Sequence, residues 1–261
     1  FKTVFVDAFA GTGYIEKASL SKIENNNLFP ITDPDPEAAS FMKGSARVAL
    51  EVSPPFNKYL FVERDPQYAR ELQNLKSEFG ALASRIEVVE RDVNVFLPKW
   101  CEETNWNKTR AVVFLDPYGM QVEWSLIEHM ARTKAVDLWY LFPAGAINRL
   151  LTKSGRPPEE WGEALTRCFG TRDWEQAFYR QNTSQRSLFG DSDQPYKAAT
   201  FDTIGEFVQN RLKTVFAEVA KNTLWLRNSK NVPLFLLCFA AANPTGATIA
   251  VRIANHILGK K

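Results

Sequence analysis

Four short apolar runs constrain this chain more than any other feature: Val4-Phe5-Val6-Asp7-Ala8-Phe9, Tyr59-Leu60-Phe61-Val62-Glu63, Ala111-Val112-Val113-Phe114-Leu115-Asp116 and Val136-Asp137-Leu138-Trp139-Tyr140-Leu141-Phe142. Each is too short for a helix and does not alternate apolar with polar residues, so each reads as a strand buried on both faces. A strand of that kind needs helices above and below it. Segments with helical spacing lie between the runs. Pro66–Phe79 opens with Pro at a first-turn position and places Tyr68, Leu72, Leu75 and Phe79 on one face. Val93–Trp100, Val122–Arg132 and Ile204–Val219 are further helical segments. Arg85–Glu90, Thr223–Arg227 and Leu234–Ala240 read as further strands. Strand and helix alternating at these lengths predict one doubly wound α/β domain over residues 1–261.

The last two strand runs are joined only by Asn228–Val232, so they must pair as an antiparallel hairpin. The expected fold is thus α/β with a mostly parallel sheet of seven strands, the last antiparallel, and helices on both faces. That is the Rossmann-like sheet of class I methyltransferases rather than an ordinary dinucleotide fold. Two stretches interrupt the alternation and read as insertions. Residues 21–43 are polar and Pro-rich, with Asn25-Asn26-Asn27 and Asp33-Pro34-Asp35-Pro36. Residues 144–200 hold two helical pieces, Pro158–Phe169 and Trp174–Tyr179, and a polar loop through Gly190–Pro195.

Composition narrows the class further. Apolar residues make up 45% of the chain, enough for a well-buried core. The longest apolar run, around Pro233–Ala242, is about half the roughly 18 residues of a membrane span, so no membrane association is expected. Cys101, Cys168 and Cys238 are widely spaced with no C-x-x-C pair, which argues against disulfides or zinc and fits a cytoplasmic setting. His129 and His256 fall in helical stretches and read as helix residues rather than metal ligands or bases. The chain opens at Phe1 inside a strand, so a preceding segment is expected. Residues 202–261 carry eight Lys and Arg against three Asp and Glu, a basic end that could face an anionic partner or be a solvated helix face.

The chemistry-bearing motifs follow successive strands. Asp7-Ala8-Phe9-Ala10-Gly11-Thr12-Gly13 opens the first turn, where two glycines let backbone approach a ligand that any Cβ would block. A dinucleotide fingerprint would read G-x-G-x-x-G, but its third position here is Glu16. Asp7 and Glu16 would repel a pyrophosphate and attract the sulfonium and ammonium of S-adenosylmethionine, the expected cofactor. Glu63 ends the second strand, where a carboxylate can accept both ribose hydroxyls; Arg64 follows it. Asp92 follows the third strand and either accepts from the adenine amine, with the Val93 amide donating to the ring, or caps the next helix, or does both. Phe9 is grouped with these cofactor-contacting positions.

Asp116-Pro117-Tyr118-Gly119 follows the fourth strand and is the catalytic candidate. Methyltransferases acting on base amines carry Asp or Asn, then Pro-Pro, then an aromatic residue here. The side chain and a backbone carbonyl accept the amine hydrogens while the ring stacks on the base. In this chain Tyr118 replaces the second Pro and Gly119 the aromatic, so the ring stands one position early. Asp116 as a plain turn residue is the competing reading.

Taken together, these residues resemble the three-Cys-motif partner family of class I methyltransferases. The likeness rests on Phe5–Gly13, Lys43-Gly44-Ser45-Ala46, Phe61-Val62-Glu63-Arg64-Asp65, Phe114–Gly119 and Leu141-Phe142-Pro143, and is weakest over residues 150–200. The resemblance implies an S-adenosylmethionine-dependent enzyme working with a separate protein that bears three cysteines. A nucleic-acid base or modified base is the expected acceptor. A non-catalytic S-adenosylmethionine-binding module is the alternative function, and turnover with an Asp116→Ala control separates the two.

Overall fold

The computed structural model describes residues 1–13, 44–153, 155–181 and 195–260. Five strands, β1 (Lys2–Asp7), β2 (Lys58–Glu63), β3 (Ile86–Glu90), β4 (Thr109–Leu115) and β5 (Val136–Phe142), lie parallel in the order β3-β2-β1-β4-β5. Past β5 come a small antiparallel ribbon, β6 (Tyr179–Arg180) with β7 (Tyr196–Lys197), and then β8 (Glu218–Val219), β9 (Leu224–Arg227) and β10 (Pro233–Ala241). β10 runs antiparallel to β5 and pairs antiparallel with both β8 and β9, completing an eight-stranded sheet.

The mostly parallel sheet and its antiparallel last strand are as the sequence predicts, but the strand count is not. The eighth strand is β8, which falls inside the segment read as one helix over Ile204–Val219. That helix is shorter, Phe201–Lys213, because the chain turns after it so that Val219 can pair with Ala240. Two residues cannot display a strand's alternation, so no pattern announces β8.

The helices described are α1 (Ser45–Leu50), α2 (Pro66–Glu78), α3 (Val93–Glu103), α4 (Trp124–Arg132), α5 (Ala144–Leu150), α6 (Glu159–Phe169), α7 (Trp174–Phe178), α8 (Phe201–Lys213) and α9 (Ala247–Leu258). They cover both faces of the sheet, and the strands show why. Leu60 and Val62 of β2 join one core with Val113, Leu115, Leu97 and Met130, whereas Tyr59 and Phe61 join another with Leu72, Leu75 and Ala46. Alternate residues of one strand are therefore buried on opposite sides, the condition that removes alternation from the sequence. Across β10 the same division holds, with Cys238 and Ala240 in the large core and Phe239 and Ala241 under α9.

Helix starts match the sequence signals closely. Asp65 caps α2 by accepting from the Gln67 and Tyr68 amides at 2.7 and 3.3 Å, with Pro66 at the first position. Thr200 and Thr203 form a reciprocal capping box at α8. In the 144–200 stretch both anticipated helices are present as α6 and α7, preceded by α5. The residue 21–43 insertion, Glu16 and most of the 190–195 loop lie outside the described residues. None of the described helices is long and apolar enough to cross a membrane.

Candidate active site

Parallel strands end together, so the residues that follow them gather along one edge of the sheet. Asp7 pairs in register with Phe61 and with Phe114, and Glu63 with Glu90. The chain winds outward from β1 to β3, then crosses back to β4. The β1/β4 boundary is thus the point where connections diverge and a crevice opens at the carboxyl ends of the strands. Asp7 and Asp116 flank that boundary.

Both are buried, Asp7 completely and Asp116 at 4% exposure. The Ser45 hydroxyl donates to Asp7 Oδ2 at 2.5 Å. Oδ1 of Asp7 and Oδ1 of Asp116 are each buried without a hydrogen-bond partner. A buried acceptor left unpaired costs about 1–3 kcal/mol, and more when charged. Burial pushes the Asp7 carboxyl up to about 6, against the pull of the Ser45 hydroxyl and the Phe9 amide. Burial, and then the neighbouring Asp7, hold Asp116 well above the ordinary carboxylate range.

Glu63 clamps two turns. Its Oε2 accepts from the Gly11 amide at 2.9 Å and its Oε1 from the Asp65 amide at 2.8 Å. Burial raises its pKa, while these amides pull it down. A carboxylate oxygen can accept a second hydrogen bond, so this clamp leaves room for ribose hydroxyls. The Ala10 amide bonding Val62 O at 3.1 Å completes the anchorage of the glycine turn.

The two glycines have different reasons to be there. Gly11 has φ +57° and a Cβ on it would meet nothing within 4 Å. At Gly13, φ is +70° and a Cβ would come within 3.1 Å of Leu75 and 3.2 Å of Leu72. Ligand clearance was the expected reason for both. At Gly13 the structure adds a second reason, since the absent side chain also lets the turn seat on α2.

Asp92 caps α3, accepting from the Asn94 amide at 2.8 Å, and Arg64 approaches its other oxygen at 3.8 Å. The capping reading therefore holds, with one oxygen facing an exposed guanidinium. Val93, buried, is the first residue of α3. Phe9 packs against the main core beneath the turn. Pro117 is buried, and Tyr118 is 43% exposed with its hydroxyl electrostatically coupled to Tyr68, Asp116 and Glu63. The ring one position early therefore still borders the crevice.

Two residues went unnoticed as site elements. Ser45 holds Asp7; it lies in the Lys43-Gly44-Ser45-Ala46 motif, which carried no role for it. Asn94 donates to the Gln121 carbonyl at 2.7 Å and accepts from the Glu123 amide at 3.1 Å, tying the turn after β3 to the segment after β4. Nothing in its spacing marks that role. His129 bonds its own helix at Ser125 O and approaches Glu102, as a helix residue should.

No protein-family model matches the chain, and no curated protein matches it in sequence. Solved structures do match. Protein LPL1258 from Legionella pneumophila is 10% identical with a TM-score of 0.51, covering 98% of this chain and 82% of that one. A S-adenosylmethionine-dependent methyltransferase from Clostridium acetobutylicum is 9% identical with a TM-score of 0.41, covering 92% and 85%. The N-terminal domain of EvdMO1 with SAH bound is 12% identical with a TM-score of 0.40, covering 92% and 74%. At these identities the likeness is one of fold.

Proposed function

We propose that this protein binds S-adenosylmethionine in the β1/β4 crevice and transfers its methyl group to an amino nitrogen of a nucleic-acid base or modified base. The observation that carries this reading is the pair of buried, unpartnered carboxylate oxygens on Asp7 and Asp116 at the point where the sheet's connections diverge. Among the described residues no Lys or Arg pairs with Asp7, Glu63 or Asp116. A cationic ligand satisfies such a site, whereas a pyrophosphate would meet three acids.

Within that reading, Glu63 accepts from the ribose, Asp92 and the Val93 amide hold the adenine, and Gly11 and Gly13 shape the turn, with Phe9 beneath it and Arg64 beside it. S-adenosylmethionine would supply an activated methyl on sulfur, with its demethylated thioether as the leaving group and the acceptor nitrogen's surplus proton passing to solvent. The chain's own contribution is positioning. Asp116 and the backbone carbonyl of Pro117 orient the amine, and Tyr118 stacks on the base. The sequence motifs also support a three-Cys-motif protein as the partner that brings or completes the substrate.

Calorimetric titration tests the cofactor. S-adenosylmethionine should bind with a Kd of about 1 μM, some −8 kcal/mol, with NAD and NADP giving no heat. Absence of heat at millimolar S-adenosylmethionine overturns the proposal. Glu63→Ala should weaken the same titration by roughly 1–3 kcal/mol through the lost charged acceptor and the released Gly11 amide. Its melting temperature should fall by several degrees, because the Gly11 and Asp65 amides lose their shared acceptor, while the fold is retained. Unchanged affinity would assign Glu63 to the turn clamp alone.

A further inference from the structure

Helix α9 has two apolar sides. Ala247, Val251, Ala254 and Leu258 are buried against Ala220, Phe239 and Ala241. On another face Ile249, Ile253 and Ile257 recur every fourth residue and are 58%, 54% and 51% exposed. Residues four apart stand one above another on a helix, so the three form a continuous ridge rather than scattered surface residues. Single exposed apolar residues are ordinary, whereas a contiguous row marks a surface that something covers. Ala and Leu at these positions would favour the helix at least as well as β-branched Ile, so helix propensity does not explain the choice.

The charge beside the ridge says what covers it. Residues 247–258 contain no Asp or Glu. Arg252 and His256 are exposed along one flank, and Lys260 lies just past the end. Glu218, a carboxylate bonded to this helix, accepts from Thr248 at 2.6 Å one turn before Arg252, so an acid meets that flank only at its N-terminal end. We propose that the Ile249–Ile253–Ile257 ridge is a docking surface for a partner protein presenting an apolar helical ridge edged by Asp and Glu. Apolar contact supplies the affinity, and Arg252 and Lys260 select the acidic edge.

The test uses the full chain and a synthetic helical peptide with Leu at every fourth position flanked by Glu, followed by fluorescence anisotropy. A matched peptide with Lys for Glu is the control. The acidic peptide should bind with a Kd in the range of about 1–100 μM, and the basic one at least tenfold more weakly. Ile253→Asp should reduce acidic-peptide binding at least tenfold with an unchanged melting curve, since that side chain is already half in water. Ile249→Ser with Ile257→Ser should repeat the loss. Arg252→Glu with Lys260→Glu should reverse the preference between the peptides. Equal binding of both peptides, or binding that ignores Ile253→Asp, overturns the proposal. It is also overturned by a wild-type dimer in sedimentation that Ile253→Asp dissociates, which assigns the ridge to a second copy. Tighter binding to phosphatidylserine vesicles than to the acidic peptide, lost in Ile253→Asp, overturns it in favour of a membrane.

Discussion

Asp7→Asn should stabilise the ligand-free protein at neutral pH while weakening its hold on S-adenosylmethionine. Asp7 is fully buried and its carboxyl titrates near 6 in the folded chain, against an ordinary value of 3.8. A carboxyl whose folded pKa is raised adds stability at acid pH, and that contribution is lost as pH rises through the folded value. The window here runs from about 4 to 6, and the shift corresponds to about 3 kcal/mol at most. Asn keeps an oxygen able to accept from the Ser45 hydroxyl and carries no charge to bury. The melting temperature of Asp7→Asn should therefore exceed that of wild type by several degrees at pH 7.5, with the gap closing toward pH 4. Titration with S-adenosylmethionine at pH 7.5 should move the other way, because the cation loses its nearest buried counter-charge. Thermal scans across pH, with and without cofactor, check both halves. A pH-independent gap would mean that the substitution acts through packing, and unchanged affinity would remove Asp7 from the site.

Most of the sheet was legible because its strands are buried on both faces. Leu60 and Val62 face one core while Tyr59 and Phe61 face the other, and only a two-sided burial writes so continuous an apolar run. Helix starts were legible through local chemistry, as with Asp65 ahead of Pro66. What escaped was short or held by distant partners. β8 is two residues long and depends on Ala240 across the sheet, and a helix pattern running into it looked uninterrupted. Ser45 lies 38 residues from Asp7. The insertion between them hides the contact from any reading by local spacing. Gly13 illustrates a subtler limit. The glycine was recognisable and its need for a left-handed backbone was real, but whether its missing Cβ clears a ligand or a helix depends on where Leu72 and Leu75 come to rest. The strand-end acids were legible as a set because parallel topology carries every such position to one edge.

The upward push on the Asp116 carboxyl makes it the sharpest test of the chemistry. Burial, and then the neighbouring Asp7, push the Asp116 pKa upward and so favour its neutral acid form when it meets an incoming amine. Its carbonyl oxygen can then accept an amine hydrogen as an amide oxygen would. Asp116→Asn should on this account keep methyl transfer within about tenfold of wild type, whereas Asp116→Ala should lose roughly 10²–10³-fold in kcat, as when one preorganised polar group is deleted from a reacting centre. Both variants should retain most of the affinity for S-adenosylmethionine, since Asp116 faces the acceptor rather than the adenosine. If Asp116 must instead carry away the acceptor's proton as a carboxylate, Asn should fail as badly as Ala, and wild-type turnover should rise with pH through the Asp116 ionisation. A turn-shaping role predicts a third pattern, in which Asp116→Ala lowers the melting temperature and any lost activity follows the unfolded fraction. Melting temperature, cofactor affinity and single-turnover methyl transfer, taken on the same preparation of each variant, distinguish the three. Wild-type turnover in a stable Asp116→Ala protein would mean that some other group at the crevice orients the acceptor.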